Sequence, residues 1–156
     1  MREKRDLKVQ AIEKGTVIDH IPAGQSLNVL HILGISGDFK STVSFVMNAQ
    51  GARGKKDVVK IEGKEINVGE LNKIALIAPG ATVNIIRNFE VKRKYNVIIP
   101  NYIEGVLRCI NPNCISNSKE PIKSKFAVLQ SEEKEVFLRC VYCNSIIYEN
   151  IVRHLF

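Results

Sequence analysis

The stretch DVVKIEGKEINVGELNKIALIAPGATVNII, residues 57–86, contains the elements that decide the fold. Its first six residues are rich in β-branched side chains and predict a strand. Asn67, followed three residues later by Glu70, resembles a capping box, so we expect a helix to begin there and to end at Pro79. The apolar positions of this helix line one face: Leu71, Ile74, Ala75 and Ala78. The β-rich residues 81–86 predict the next strand.

The residues before this stretch predict a hairpin and an earlier pair of a strand and a helix. Residues 42–47 alternate as a strand, and the Gly-punctuated loop GARGKK at 51–56 connects them to the strand that follows. A first helix is expected near 23–33. Three leucines recur there at helical spacing: Leu27, Leu30 and Leu33. Residues 7–12 alternate with a β bias, and we interpret them as a strand. A turn at Gly15 and an apolar group follow, which we interpret as the segment where the chain leaves this strand. That group is Val17, Ile18, Ile21 and Pro22.

The order of these elements predicts the fold class. The β-rich residues 89–91 end in the basic run 92–94, and the order is then β, α, β, β, α, β. This order predicts an α+β, ferredoxin-like domain, in which a four-stranded antiparallel sheet carries two helices on one face. A linker at 97–100 follows, and then short β segments around the cysteines: 125–129, 135–138 and 145–149. We therefore expect two domains, residues 1–99 and a small all-β, zinc-ribbon-like domain over residues 100–156.

The second domain contains all four cysteines of the chain, in two pairs. Four residues separate Cys109 from Cys114, two separate Cys140 from Cys143, and 25 lie between the pairs. Two such hooks bring four thiolates to one tetrahedral zinc ion, with Zn–S distances of about 2.3 Å. Four protein ligands leave no open position for a substrate, so the predicted zinc ion is structural, with one per chain. Structural disulfides are disfavoured in a reducing compartment, which favours metal binding over the alternative of four free or partly paired thiols.

Charge and hydropathy restrict the location and the partners of the chain. The net charge of +7 is concentrated in residues 1–100, which carry 16 Lys or Arg and 10 Asp or Glu, against 7 and 6 in residues 101–156. The basic surplus is typical of nucleic-acid binding and would assign it to the first domain, whereas the near-neutral charge of the second domain favours a protein partner. No apolar run approaches the ~18 to 20 residues of a membrane helix, and the N-terminus is charged where a signal peptide is apolar. We expect a cytoplasmic protein with no membrane association.

The sequence contains no recognisable catalytic motif, so a binding function is favoured. It has no His-Glu-x-x-His zinc site, no Gly-x-Ser-x-Gly elbow and no dinucleotide fingerprint. Asp19 and His20 lie side by side where a strand gives way to a helix, a pair suited to sugar hydroxyls and phosphate. Lys60, Asn84 and Lys94 would supply further polar groups. The alternative is that Asp19 caps a turn and that the basic run is a solvated surface.

Several segments together resemble the regulatory chain of aspartate carbamoyltransferase: GTVIDHIPAG at 15–24, GKKDVVKIEG at 54–63, LIAPGATVNIIRNFEV at 76–91, and the hooks CINPNC and CVYC. The resemblance covers almost the whole chain, in order. It implies an allosteric subunit without catalytic activity, whose first domain binds nucleotides and whose zinc domain contacts catalytic chains. CTP would inhibit and ATP would activate from one pocket. Regulatory chains would pair as homodimers in an assembly of six catalytic and six regulatory chains.

The resemblance also implies roles for individual residues. Ala11 and Ile12 would offer backbone groups to the base. Asp19 and Lys60 would face the ribose and the base. The positions around the triphosphate would be His20, Asn84, Val91 and Lys94. The zinc ligands would be Cys109, Cys114, Cys140 and Cys143. The contact with the catalytic chain would lie near Asn111, Asn113 and Glu149.

Three positions depart from the family pattern. Phe89 stands where members often carry Tyr, which removes a hydroxyl near the base or ribose, and Arg53 stands where an apolar residue is common. Asp6 stands before the first strand, where a basic residue is common.

Two other functions fit the residues alone. A zinc-ribbon nucleic-acid-binding protein would use the basic first hundred residues, and a free-standing nucleotide sensor would have no partner for its zinc domain.

Overall fold

The computed structural model describes residues 11–156, so the part of the predicted first strand before Ala11 lies outside the described residues. Within them, nine strands form two antiparallel sheets. The strands of the first sheet are β1 (Gly15–Pro22), β2 (Val43–Gly51), β3 (Gly54–Glu62), β4 (Thr82–Arg87) and β5 (Glu90–Asn96). Its helices are α1 (Ser26–Ile32) and α2 (Val68–Ile74). The strands of the second sheet are β6 (Tyr102–Glu104), β7 (Lys125–Gln130), β8 (Val136–Cys140) and β9 (Ile146–Ile147).

The first sheet has the strand order β2-β3-β1-β4-β5, and both helices pack on one face of it. The core on that face joins residues of three strands to residues of both helices: Ile18, Val59, Val83, Val29, Leu30 and Ile74. The predicted α+β, ferredoxin-like architecture is therefore confirmed. The sheet has five strands rather than four, because the predicted basic run 92–94 lies inside β5. This strand is at the edge and largely exposed on both faces, so no buried face imposes an alternating pattern on its sequence.

α2 begins as predicted, whereas α1 begins three residues after its predicted start, and both helices are shorter than predicted. Asn67 accepts a hydrogen bond from the Glu70 N–H (2.8 Å) and Glu70 returns one from the Asn67 N–H, which confirms the capping box. α2 ends at Ile74, and residues 75–77 continue as turns. Leu27 is 55% exposed, contrary to the predicted apolar stripe of α1, because a three-residue spacing drifts around a 3.6-residue helix. No helix of residues 11–156 is long and apolar enough to cross a membrane.

The second sheet follows the chain order β6-β7-β8-β9 and has a core of its own. β6 was not predicted, since three residues are too few to show a periodicity. The two cores meet at a seam made of Leu76, Ile99 and Leu155. Leu76 follows α2 in the chain yet is buried in the second core, and the other two residues pack against both cores. The segment predicted as a linker is thus anchored by packing.

Gly15 lies in the middle of the first sheet rather than in the predicted turn. It is the first residue of β1 and is opposite Glu62 in β3 and Ile86 in β4. Its φ is +139°, a conformation that side chains disfavour, and a Cβ built there would overlap the carbonyl oxygen of Ile61. The close approach of the two strands therefore requires glycine at this position.

We expect the substitution Gly15→Ala to lower the free energy of unfolding by about 2 kcal/mol or more, because it adds both steric overlap and backbone strain. Gly37→Ala is the matched control. A Cβ at Gly37 has no neighbour within 4 Å, and this glycine has no positive φ. Urea denaturation followed by circular dichroism measures the free energy of unfolding of both variants. Equal values would contradict a close approach of β1 and β3 at Gly15.

Candidate functional site

The four cysteines converge on one point of the second sheet. Cys109 and Cys114 lie in the segment before β7, Cys140 ends β8, and Cys143 lies in the turn before β9. The four Sγ atoms all lie within 4.8 Å of one another, and two pairs, Cys109 with Cys143 and Cys114 with Cys140, are 3.6 Å apart. A tetrahedral ion with metal–sulfur distances of about 2.3 Å requires sulfur–sulfur distances of about 3.8 Å. The observed cluster therefore fits a metal ion with four thiolate ligands.

Backbone and amide hydrogen bonds hold both hooks in place. In the first hook, the Cys114 N–H donates to the carbonyl oxygen of Asn111 (3.0 Å), and the Asn117 side-chain amide donates to the carbonyl oxygens of Cys109 and Asn111 (3.1 and 2.7 Å). In the second hook, the Asn144 N–H donates to the carbonyl oxygen of Cys140 (2.9 Å), and Asn144 adopts φ +64°. Asn tolerates this left-handed conformation, which lets the chain turn back around the cluster.

The pKa values of the thiols differ across the cluster. Burial raises the pKa of Cys109 to about 12 and also raises the pKa of Cys140. A hydrogen bond with the Ser145 hydroxyl, 3.2 Å from the sulfur, lowers the pKa of Cys143 to about 6. A divalent cation at the centre would favour the thiolate form of all four residues, because a metal-bound thiol loses its proton.

A row of polar residues crosses the first sheet on the face opposite the helices. Val17 in β1 is opposite Lys60 in β3 and opposite Asn84 in β4, and Asn84 is in turn opposite Lys94 in β5. Directly opposed residues of antiparallel strands point to the same face, so these side chains form one row. On β1, β3 and β4 an adjacent residue of the strand is in the core, which leaves the row on the helix-free face. Three of the residues predicted to bind nucleotide, Lys60, Asn84 and Lys94, are thereby brought together.

Asp19 and His20 lie beside this row, at a β-bulge of β1. The His20 N–H donates to Asp19 Oδ1 (2.7 Å), and His20 Nδ1 is 3.2 Å from the Thr82 hydroxyl. Lys56 Nζ is 2.8 Å from Asp19 Oδ1. Burial opposes ionisation of Asp19, but the hydrogen bonds from Lys56 and the His20 N–H outweigh it and lower the pKa of Asp19. Burial lowers the pKa of Lys60, and the nearby Asp19 charge acts in the opposite direction.

Lys56 was not among the residues predicted to bind. It belongs to the GARGKK stretch, and the only sequence signal was the basic character of that loop. A cavity of about 400 Å³ lies beside the tip of the β2–β3 hairpin, and its lining includes four basic side chains: His20, Arg53, Lys55 and Lys56. The charge of this cavity is suited to an anion.

The other predicted residues lie at the opposite end of β1. Val91 is opposite Ile86, which is opposite Gly15 at the start of the strand, and Val91 is 57% exposed. Ala11 is exposed and Ile12 is buried just before β1. The Phe89 N–H donates to the carbonyl oxygen of Glu13 (2.9 Å), which ties the β4–β5 turn to this segment. The length of β1 therefore separates Val91 from His20, although the resemblance groups both around the triphosphate.

Comparison with known proteins gives matches over nearly the whole chain. Residues 7–98 match the family model of the aspartate carbamoyltransferase regulatory chain, allosteric domain, and residues 101–153 match the metal binding domain of the same chain. The aspartate carbamoyltransferase regulatory chain of Methanosarcina barkeri is 70% identical over 155 residues, which are 99% of each chain. That of Methanosarcina acetivorans is 69% identical with the same coverage. That of Methanococcoides burtonii is 59% identical over 151 residues, 97% of this chain and 94% of the relative.

Substitution of a single cysteine tests the metal centre. We expect Cys140→Ser to abolish stoichiometric binding of Zn²⁺ and to unfold much of residues 101–153, because a small core depends on the free energy of metal binding. The matched control is Tyr142→Phe. Tyr142 lies between Cys140 and Cys143, and the substitution removes only an exposed hydrogen bond to the carbonyl oxygen of Lys123. Metal content and amide hydrogen exchange measure both variants. Full zinc occupancy in Cys140→Ser would contradict a four-thiolate site.

Proposed function

This chain belongs to the regulatory chains of aspartate carbamoyltransferase, which are non-catalytic subunits, and we propose that it binds CTP and ATP and transmits their effect to the catalytic chains. In this proposal residues 1–99 are the allosteric nucleotide-binding domain, and residues 100–156 are a zinc domain that contacts the catalytic chain. CTP inhibits and ATP activates, so the chain regulates de novo pyrimidine biosynthesis in the cytoplasm.

The observation that carries the proposal is the polar row on the helix-free face of the first sheet. Lys60 and Lys94 place two cations on the same face, with the Asn84 amide between them. Lysines attract phosphate as point charges, and an amide both donates to and accepts from a base or a sugar. Asp19 supplies a carboxylate for ribose hydroxyls, and His20 connects the row to the basic cavity at the hairpin tip. This combination of groups suits a nucleoside triphosphate.

The metal in the proposal is a structural zinc ion held by Cys109, Cys114, Cys140 and Cys143. Four soft thiolates at tetrahedral spacing favour zinc, and they leave no position for a substrate. The ion would hold the two hooks together and would supply the folding free energy that a domain of this size lacks. Exposed apolar side chains surround the hooks and support a protein contact: Ile110, Ile115, Val141 and Tyr142. We assign this surface, with Asn111, Asn113 and Glu149, to the catalytic chain.

The two edges of the first sheet support pairing of two regulatory chains through β2. The β5 edge carries the run Lys92 to Lys94, and charged side chains on an edge oppose strand addition. The β2 edge instead exposes Phe45 and Met47, at 41% and 39% of their surface. A second copy that pairs along β2 would cover these side chains. Such homodimers would join catalytic trimers in an assembly of six catalytic and six regulatory chains.

The seam between the two cores provides the connection from nucleotide to catalytic chain. β5, which carries Lys94, ends at Asn96, and the Val97 N–H then donates to the carbonyl oxygen of Ala81 (2.9 Å). Val97 is buried in the first core, and Ile99 packs against both cores. A displacement of β5 by a bound nucleotide would therefore act on residues that contact the zinc domain. We propose that CTP and ATP differ in the position they impose on this strand.

Nucleotide titration of the zinc-loaded chain tests the proposed site. We expect Lys60→Met to weaken CTP binding by about tenfold or more, because it removes a half-buried cation from the polar row. Lys40→Met is the control, since Lys40 is exposed in the segment before β2, and its effect should stay below about twofold. Isothermal titration calorimetry gives affinity and stoichiometry. Salt-sensitive binding of polynucleotide without saturable CTP binding would contradict the proposal and would favour a zinc-ribbon nucleic-acid-binding function.

Two adjacent isoleucines provide a matched test of the coupling. Ile99 packs against both cores, whereas Ile98 is 76% exposed. In complexes with an aspartate carbamoyltransferase catalytic trimer, we expect Ile99→Ser to retain CTP binding but to lose most of the response of activity to CTP and ATP. Ile98→Ser should retain both.

Activity at subsaturating aspartate, with and without each nucleotide, measures the response. The wild-type complex should form only with zinc bound, so chelation before mixing should prevent assembly. A normal nucleotide response in Ile99→Ser would show that the seam does not carry the coupling, and a zinc-loaded wild-type chain that forms no complex would contradict the regulatory function.

A further inference from the structure

The carboxylate of Asp57 is buried at the point where three segments of the first domain meet. Asp57 lies on β3 and has no exposed surface. Its Oδ2 accepts hydrogen bonds from the backbone N–H groups of Gly24 and Ser26, and its Oδ1 accepts one from the N–H of Asn48, each at 2.9 Å. Gly24 lies in the turn after β1, Ser26 is the first residue of α1, and Asn48 belongs to β2. One side chain thus connects β3 to β2 and to the segment that follows β1.

Both neighbouring strands have a β-bulge at this level. In β1, the register with β3 shifts between Ile18 and Ile21, and His20 within the bulge adopts φ +60°. In β2, the register shifts between Val46 and Ala49, and Asn48 within the bulge adopts φ +62°. A bulge leaves backbone groups without a ladder partner, and a buried N–H requires one. Asp57 supplies the partner for the Asn48 N–H.

The bulge of β1 carries two residues of the proposed nucleotide site. Asp19 and His20 occupy it, and the Asp19 carboxylate contacts Lys56, which directly precedes Asp57 in the chain. Beyond the bulge, Ile21 is opposite Asp57 itself. Asp57 therefore holds the turn that follows β1 against β3, a few residues after the bulge. The direction in which Asp19, His20 and Lys56 point depends on that attachment.

The three hydrogen bonds require a carboxylate. Burial opposes ionisation of Asp57, but the bonds from Asn48, Gly24 and Ser26 outweigh it and hold its pKa below the ordinary value. An amide in the same place has one acceptor oxygen, and its NH₂ group would face a backbone N–H. Asp57→Asn therefore conserves shape and volume but removes at least one attachment.

We propose that Asp57 is a positioning residue of the nucleotide site, which holds the bulges of β1 and β2 so that Asp19, His20 and Lys56 face a bound nucleotide. The inference rests on the proposed function of the same site. Asp57 itself is buried on the core side of the sheet and does not touch the ligand. Its contribution to binding is exerted wholly through the three residues that it places.

The test compares Asp57→Asn with Val59→Ala in the full zinc-loaded chain. Val59 lies on the same strand, faces the same core and is also fully buried, so its truncation destabilises the fold but removes no side-chain hydrogen bond to either bulge. CTP affinity is measured by calorimetry at a temperature where circular dichroism shows both variants to be folded. We expect a loss of about tenfold for Asp57→Asn and less than about twofold for Val59→Ala.

A cycle with His20→Ala separates positioning from general stability. If Asp57 acts through the residues of the bulge, the effect of Asp57→Asn should shrink when His20 is already absent. Equal affinity losses in Asp57→Asn and Val59→Ala, or an unchanged affinity in Asp57→Asn, would overturn the inference. Failure of the wild-type chain to bind CTP would instead overturn the proposed function, so the two results are distinguishable.

Amide hydrogen exchange of the wild-type chain provides a second measurement that does not depend on folding of a variant. Because linkage is reciprocal, a nucleotide that needs the bulges in place must also stabilise the bonds that hold them. We expect CTP to slow exchange at Gly24, Ser26 and Asn48 more than at amides of the β7–β8 ladder. Equal protection at both places would overturn the positioning role.

Discussion

The pairing of β1 with β3 on one side and β4 on the other fixes the polar row on which the proposed nucleotide site depends. Val17 is opposite Lys60 in one ladder and Asn84 in the other. If β3 or β4 slipped by one residue against β1, the side chains of the slipped strand would turn to the other face of the sheet. Lys60 would then enter the core beneath the helices, at a cost of several kcal/mol for moving its charge out of water. The apolar packing of Ile18 and Val59 therefore determines the register, and the register places the polar groups.

Patterns among residues close together in the sequence predicted most of the fold. The capping box at Asn67 specifies the start of α2 through two hydrogen bonds among adjacent residues, so the sequence alone contains the information. The predictions were wrong where contacts between distant parts of the chain determine the structure. β5 is an edge strand with no buried face, and its charged residues obscured its strand character. The three-residue spacing spreads the leucines of α1 over an arc of the helix, and the way in which α1 meets the sheet decides that Leu27 is the exposed one.

The same division applies to the candidate sites. The spacing of the cysteines predicted their convergence, because two short hooks can close around an ion using only local turns. The residue types of the polar row were also predictable, but its contacts were not. The Lys56–Asp19 pair and the attachment of Asp57 depend on two bulges in neighbouring strands, and no periodicity of the chain signals where a bulge occurs. Such contacts become visible only when the register of three strands is known.

Few residues lie between Lys94 and the seam, so little chain is available to take up a movement of β5 without moving the seam. Four residues separate Lys94 from Ile99, and two of them are held in place, Asn96 by the ladder with β4 and Val97 by the core. Packed cores have discrete arrangements and deform little between them, so a shift of β5 must be met by repacking of Ile99 against both cores. Allosteric couplings are typically about 1–3 kcal/mol, which is comparable to the cost of moving one buried methyl or methylene group. A single well-packed side chain at the seam is therefore sufficient to carry a coupling of this size, provided that the nucleotides favour different positions of β5.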